Sequence, residues 1–347
     1  MVDRPSPIRV SRRTFLGTGF ALTAAAQDLP NQTIKAGVKV VNVFATAHDK
    51  KGQIVKTLTK DDFSIEEDGR PQIIRYFTRE SDLELTLGLV IDTSGSQRRV
   101  IGEERSASYR FLDQVLREDK DIAFVIRFDR EIELVVDLTS SRKRLESGIF
   151  NLQAGTSGGQ GGQGRPGARG GGQGRRGGGT ALYDAVLLAS EDVMARQHGR
   201  KAIVVLSDGE DRGSKVSLNT AIDAAQKSDT LVYSILFADN EPFPAYGGGR
   251  HGRRMPPPSS RQDGADGSGK KVLERLARET GGSFYNVSSK LPLSTIFERM
   301  QEELRNQYSL GYTPDTIAKP GEFRKINLTT RDKTLIVQSR AGYYGSN

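Results

Sequence analysis

The chain has no cysteine among its 347 residues. Disulfides, thiolate-bound zinc and a cysteine nucleophile are therefore excluded. Histidine is almost as scarce. His48, His198 and His251 stand far apart, and no H-E-x-x-H arrangement or other zinc-hydrolase motif occurs. The lack of cysteine leaves the compartment open, because many exported proteins carry no disulfide. Apolar residues make up 35% of the chain, below the roughly 45–50% usual for globular proteins. Glycine reaches 39 residues. The combination implies a folded core diluted by low-complexity inserts.

The net charge of +8 is unevenly spread. Residues 1–26 hold Arg4, Arg9, Arg12 and Arg13 against Asp3, and residues 154–179 hold Arg165, Arg169, Arg175 and Arg176 with no acid. The rest is close to neutral, so the basic balance describes an N-terminal segment and one insert rather than a nucleic-acid-binding face. Ser11-Arg12-Arg13-Thr14-Phe15-Leu16, a mild apolar run and the small residues Ala24-Ala25-Ala26 resemble a bacterial twin-arginine signal. Residues 1–26 are expected to be that signal, the mature chain to start near Gln27, and the protein to reach the periplasm, the cell envelope or the medium already folded. The apolar run is too short for a bilayer of ~30 Å, and no later stretch is apolar enough to span one. No cysteine follows the cleavage pattern, which excludes a lipoprotein anchor.

Residues 31–80 read as a small β unit. Short apolar alternations are separated by the turns Asp49-Lys50-Lys51-Gly52 and Asp68-Gly69-Arg70-Pro71. From residue 83 strands alternate with helical patterns, which predicts a Rossmann-like, doubly wound, mostly parallel α/β sheet over 83–307. Leu83, Leu85, Leu87, Leu89 and Ile91 alternate with Gly88 and Val90 on the other face, so the strand from Leu83 to Asp92 reads as buried and central, and Ala202–Leu206 reads likewise. Residues 154–179 and 239–270 are Gly-, Pro- and Arg-rich and read as disordered inserts. Residues 308–347 return to β pattern and are expected to pair with the N-terminal strands, because each set alone makes too small a sheet.

Ligands on such sheets sit at the carboxyl ends of strands. Val90-Ile91-Asp92-Thr93-Ser94-Gly95-Ser96 delivers a carboxylate to a strand end, with two hydroxyls following in the turn. Gly179-Thr180-Ala181 places another hydroxyl at a helix start, and Leu206-Ser207-Asp208-Gly209 a second carboxylate at a strand end. Asp92, Ser94, Ser96, Thr180 and Asp208 offer only hard oxygen, which suits Mg²⁺ (or Mn²⁺ or Ca²⁺) and not zinc. Asp92, Ser94 and Ser96 also suit a cap for the helix that follows them.

This order, each residue on its expected element, resembles the metal-ion-dependent adhesion site (MIDAS) of the von Willebrand factor type A (VWA) domain, over roughly residues 83–307. The resemblance implies that Ser94, Ser96 and Thr180 bind the ion directly, and that Asp92 and Asp208 act directly or through water. It implies an open position filled by a partner's aspartate or glutamate, and a binding module rather than an enzyme. The flanks Leu58-Thr59-Lys60-Asp61-Asp62-Phe63, Glu67-Asp68-Gly69 and Gln307-Tyr308-Ser309-Leu310-Gly311-Tyr312 resemble the VWFA-related Acidobacterial domain subgroup.

Rival readings are weaker on chemistry. A haloacid-dehalogenase-type phosphotransferase needs a second acid where Ser94 stands, and an aspartic protease needs paired D-T/S-G motifs that are missing. A serine nucleophile lacks a histidine base. The Arg-Gly tract around Arg169 and Arg175-Arg176 resembles a nucleic-acid-binding tract, but a solvated linker explains it, and export argues against such a partner. Asp211 reads as a loop residue, and Tyr343-Tyr344 as strand.

Overall fold

The computed structural model describes residues 40–80, 83–99, 101–152, 179–237 and 263–345. The signal-like segment 1–26 and, of the two inserts, residues 154–178 and 239–262 lie outside them. The chain order is β1 (Val41–His48), β2 (Phe63–Glu67), β3 (Arg70–Gln72), β4 (Ile74–Glu80) and β5 (Leu85–Asp92), then α1 (Ile101–Val115), β6 (Ile122–Phe128), β7 (Ile132–Thr139) and α2 (Arg142–Phe150). Next come α3 (Leu182–Leu188), β8 (Arg200–Ser207), α4 (Leu218–Lys227), β9 (Leu231–Leu236), α5 (Asp263–Thr280), β10 (Phe284–Asn286) and α6 (Leu293–Arg305). β11 (Gln307–Tyr312), β12 (Phe323–Thr330), β13 (Ile336–Ser339) and β14 (Gly342–Tyr344) complete it.

A six-stranded sheet in the order β10-β9-β8-β5-β6-β7 forms the centre. All its neighbours are parallel except β7, which runs antiparallel to β6 at one edge. Every residue of β5 is buried, as a strand covered on both faces requires. Leu85, Leu87, Leu89 and Ile91 pack in one core with Phe111 and Leu112 of α1 and Ile296, Phe297 and Met300 of α6. Val90 faces the opposite core, with Leu182, Ala185 and Val186 of α3, Ala221 and Ile222 of α4 and Leu273 and Leu276 of α5. Phe111 and Phe297 stack with ring centroids 4.4 Å apart. α6 forms because Leu293, Ile296, Phe297, Met300 and Leu304 recur at helical spacing and all are buried. The observed fold is the doubly wound sheet that the alternating pattern predicts.

Two helices differ from the sequence reading. The pattern Ala181–Gln197 reads as one helix, but α3 loosens into a π-turn over Ala189–Val193 and a 3-10 turn over Met194–Arg196. α5 starts at Asp263, within a stretch whose glycines read as insert. Tertiary contact explains the latter: Gly269 lies against the backbone of Asp208 and Gly209, so a glycine that weakens the local helix is what allows it to dock there.

The flanking strands form two four-stranded antiparallel sheets, β13-β1-β11-β4 and β14-β12-β2-β3. Each mixes strands from before and after the central sheet. β1 pairs Val41 with Tyr312, and β2 pairs Ile65 with Leu328. Val43, Ala45, Ile65, Leu310, Ile326 and Leu328 fill the space between them. Glu67, 4% exposed, accepts the hydroxyls of Tyr312 at 2.7 Å and Tyr343 at 3.1 Å, so one N-terminal carboxylate stitches two C-terminal strands. Glu67→Ala would leave both phenols without this acceptor. The expected cost is about 2–4 kcal/mol, read from urea denaturation; a loss under about 0.5 kcal/mol would show that the network contributes nothing.

Candidate metal centre

The register of the central sheet creates the site. Ile91 of β5 pairs with Leu206 of β8, so both strands end at the same level. Asp92 leaves one end, and Ser207 and Asp208 leave the other. Asp92 is fully buried. Its Oδ1 accepts the amide of Ser94 at 2.9 Å, and its Oδ2 accepts the hydroxyl of Ser207 at 2.8 Å. The hydroxyls of Ser94 and Ser96 lie 2.9 Å apart, and Ser96 donates to Asp208 Oδ2 at 2.7 Å. Asp92, Ser94, Ser96 and Asp208 thus form one continuous polar chain across the ends of two strands.

The turn that holds them is itself fixed. The Thr93 amide donates to the Phe128 carbonyl at 2.8 Å, and the Gln97 amide to the Ser94 carbonyl at 3.0 Å. Asp208 Oδ1 accepts the amide of Glu210 at 3.0 Å. Gly209 sits at φ +77°, where side-chain-bearing residues are strained; its amide donates to Ser207 Oγ at 3.0 Å.

Thr180 reaches the same end of the sheet through backbone clamps. Its carbonyl accepts the amides of Arg212 and Gly213, both at 3.0 Å, and the next amide, of Ala181, donates to the Asp129 carbonyl at 2.8 Å. Among the described residues its hydroxyl makes no hydrogen bond, so it is not part of the Asp92–Asp208 chain. Asp211 accepts the amide of Tyr183 at 3.3 Å and the hydroxyl of Ser214, and Asp184 accepts the amides of Lys215 and Val216. Those two acids pin the start of α3 to the loop after β8. Asp211 is a helix-positioning residue, in keeping with its loop reading.

Burial pushes the Asp92 carboxyl up to about 6, and the negative charge of Asp208 adds to the rise. Hydrogen bonds from Ser94 and Ser207 oppose it. Among the described residues no lysine or arginine pairs with either carboxylate. A buried acid facing a second acid, with hydroxyls between them, suits a hard divalent cation. Two carboxylates balance its charge, and three hydroxyls add neutral oxygen. Among the described residues no three acidic or histidine side chains cluster to hold a metal, so any shell here depends on the hydroxyls.

Ser207 is the site residue that the sequence motif omits. It is fully buried, and its one signal is position: a serine closing a buried apolar strand, next to Asp208.

The family model of the von Willebrand factor type A domain matches residues 87–210. That segment of the chain is a von Willebrand factor type A domain. Solved structures with a similar fold include BatB, a conserved hypothetical protein from Bacteroides thetaiotaomicron. It is 16% identical, with 64% of this chain and 100% of that one covered and a TM-score of 0.43. A von Willebrand factor type A protein from Catenulispora acidiphila is 10% identical over 90% of this chain and 76% of its own, with a TM-score of 0.45. Proximal thread matrix protein 1 of the mussel byssus, in a form with a zinc-occupied MIDAS motif, is 16% identical over 69% of this chain and 49% of its own, with a TM-score of 0.45. A search of curated protein sequences finds no significant match.

Proposed function

We propose that the protein is an exported, metal-dependent protein-binding module of the adhesion type, and not an enzyme. The observation that carries this reading is the unbroken polar chain from Asp92 through Ser94 and Ser96 to Asp208, at the joined ends of β5 and β8. Asp92, Ser94, Ser96, Thr180 and Asp208 would hold one divalent cation, Mg²⁺ in the first instance. The bound ion would supply an electrophilic position for a glutamate or aspartate of a partner protein. This chain's own residues position it. Ser207 and the Ser94 amide fix the Asp92 carboxylate, and the Ser96 hydroxyl would offer a lone pair to the ion while still donating its proton to Asp208. Among the described residues no histidine or lysine hydrogen-bonds the hydroxyl of Ser94, Ser96 or Ser207 as an activating base.

Export rests on the Arg12-Arg13 motif. Among the described residues no helix is long and apolar enough to cross a membrane. The Leu58–Phe63 and Gln307–Tyr312 flanks support a place in the Acidobacterial subgroup. On this reading residues 31–80 and 308–347 make a β unit carried beside the VWA domain of 83–307.

Calorimetric titration of Mg²⁺ and Mn²⁺ into the mature chain from Gln27 tests the site. Wild type is expected to bind one ion, and Asp92→Ala none, with an unchanged circular dichroism spectrum. Equal heats from both proteins would refute the assignment. A polar chain serving only as a scaffold would leave both without heat and make partner capture insensitive to chelator.

A further inference from the structure

We propose a second, metal-independent binding site: the cleft between the paired flanking sheets and helices α5 and α6 takes an extended acidic segment of another protein, added as a strand to the free edge of β13. The cleft encloses about 930 Å³ and is remote in sequence from the Asp92 turn. All four residues of β13, Ile336–Ser339, line one wall. Phe284 and Tyr285 of β10 line another. Among the described residues both strands end their sheets, β13 pairing with β1 alone and β10 with β9 alone; near the end of β13 the Gln338 side chain bridges toward β10, donating to the Gly281 carbonyl at 3.4 Å and accepting the Ser283 hydroxyl at 3.1 Å. Two sheet edges therefore open on one space.

A bare edge offers unpaired amides and carbonyls, and proteins usually guard it with proline, charge or a bulge. β13 has none of these within its span, and instead carries Ile336, 62% exposed. An apolar residue on an unguarded edge is the signature of strand addition, where main-chain hydrogen bonds supply affinity and alternate side chains supply selectivity.

Charge selects the segment. Lys50, Lys51 and Arg299 line the cleft, and among the described residues none has a carboxylate within ion-pair distance. The acids along the same walls are engaged elsewhere. Glu302 pairs with Lys56 at 2.9 Å, and Glu274 with Lys270 at 3.7 Å. Asp49 takes the amides of Lys51 and Gln53 within its own turn, both at 2.8 Å. Glu303 is buried and accepts the hydroxyls of Tyr285 and Ser283, the latter at 2.7 Å. The cleft thus presents cations at its rim, an apolar side chain on its edge strand and a saturated polar floor. The complement is a strand alternating acidic and apolar residues.

The test is fluorescence polarisation of the mature full chain in EDTA, which separates this site from the metal centre. Probes are a short labelled peptide alternating glutamate and valine, its lysine–valine counterpart, and an acidic version N-methylated at alternate amides. The acidic peptide is expected to bind, and the other two to bind at least about tenfold more weakly. Lys50→Glu/Lys51→Glu, two exposed turn substitutions whose folding is checked by thermal melting, should weaken the acidic peptide at least about tenfold. No binding of the acidic peptide, equal binding of the lysine peptide, or indifference to charge reversal overturns the proposal. Equal binding of the N-methylated peptide, or complete competition by free glutarate at equal concentration, replaces strand addition with plain anion attraction and also overturns it.

Discussion

Asp92→Asn should melt above wild type at pH 7.5 in EDTA while losing all Mg²⁺-dependent stabilisation. The carboxyl of Asp92 titrates near 6 in the folded protein against an ordinary value of 3.8, because it is buried with Asp208 nearby. A raised carboxyl pKa means that the folded state holds the proton more tightly than the unfolded one. The ionised form therefore destabilises the cation-free fold. That penalty is absent below about pH 4, grows as the pH rises to about 6, and is constant above. Two units correspond to at most about 3 kcal/mol, and an asparagine amide does not reproduce every hydrogen bond of the neutral acid, so a gain of about 1–3 kcal/mol is expected for asparagine. For a chain of this size the gain shifts the melting temperature by roughly 2–8 °C. The two melting curves should converge at pH 4. Saturating Mg²⁺ should reverse the order at pH 7.5, because the cation neutralises the buried Asp92 carboxylate, already ionised at that pH, and has nothing comparable to bind in the variant. An asparagine variant less stable than wild type at pH 7.5 in EDTA would show that the carboxylate contributes to the fold and is not held at its expense.

Gly209→Ala should cost about 2–4 kcal/mol and abolish Mg²⁺ binding, whereas Gly95→Ala should change stability by less than about 0.5 kcal/mol. Gly209 has φ +77°, and a methyl group there would sit 2.3 Å from the Gly269 carbonyl oxygen. Backbone strain of about 1–2 kcal/mol combines with a clash against main chain, which yields less readily than a side chain. Relief requires moving the loop that carries Asp208 or the start of α5. Gly95 lies between Ser94 and Ser96, has no positive φ, and nothing within 4 Å of an added methyl. Chemical denaturation with a parallel Mg²⁺ titration checks both. Equal losses at the two positions would contradict the geometry.

That pair of glycines marks where sequence reading succeeds and where it stops. Asp92 and Asp208 were legible because a strand apolar on both faces is a local pattern, and the acid that ends it announces the sheet's carboxyl edge. The doubly wound sheet and the β-rich flanks followed from the same periodicities. Gly95 and Gly209 look alike as letters, and the positive φ of Gly209 together with the approach of α5 makes one replaceable and the other not. Ser207 escaped for a related reason: its hydroxyl faces Asp92 only once β5 and β8 align Ile91 with Leu206. The π-turn in α3 and the helical start at Asp263 are likewise tertiary outcomes, since their residues alone favour a plain helix and a loop. The cleft beside β13 is farther from sequence still, because its walls come from segments more than 200 residues apart.

The shared sheets of the flanks also set an order of assembly. Among the described residues β1 has β11 and β13 as its strand partners, with Val41 opposite Tyr312. About 270 residues must leave the ribosome between them, on the order of tens of seconds at ordinary synthesis rates. During that interval β1 has only local support, the His48–Ile54 bridge, the Val55 amide on the Ala47 carbonyl and the apolar side chains of β2 and β4, and both of its strand partners are distant along the chain, a topology that slows folding. The central sheet can close first. The flanking sheets must close last, and they are the part of the molecule for which a chaperone, or a pause before secretion, would matter.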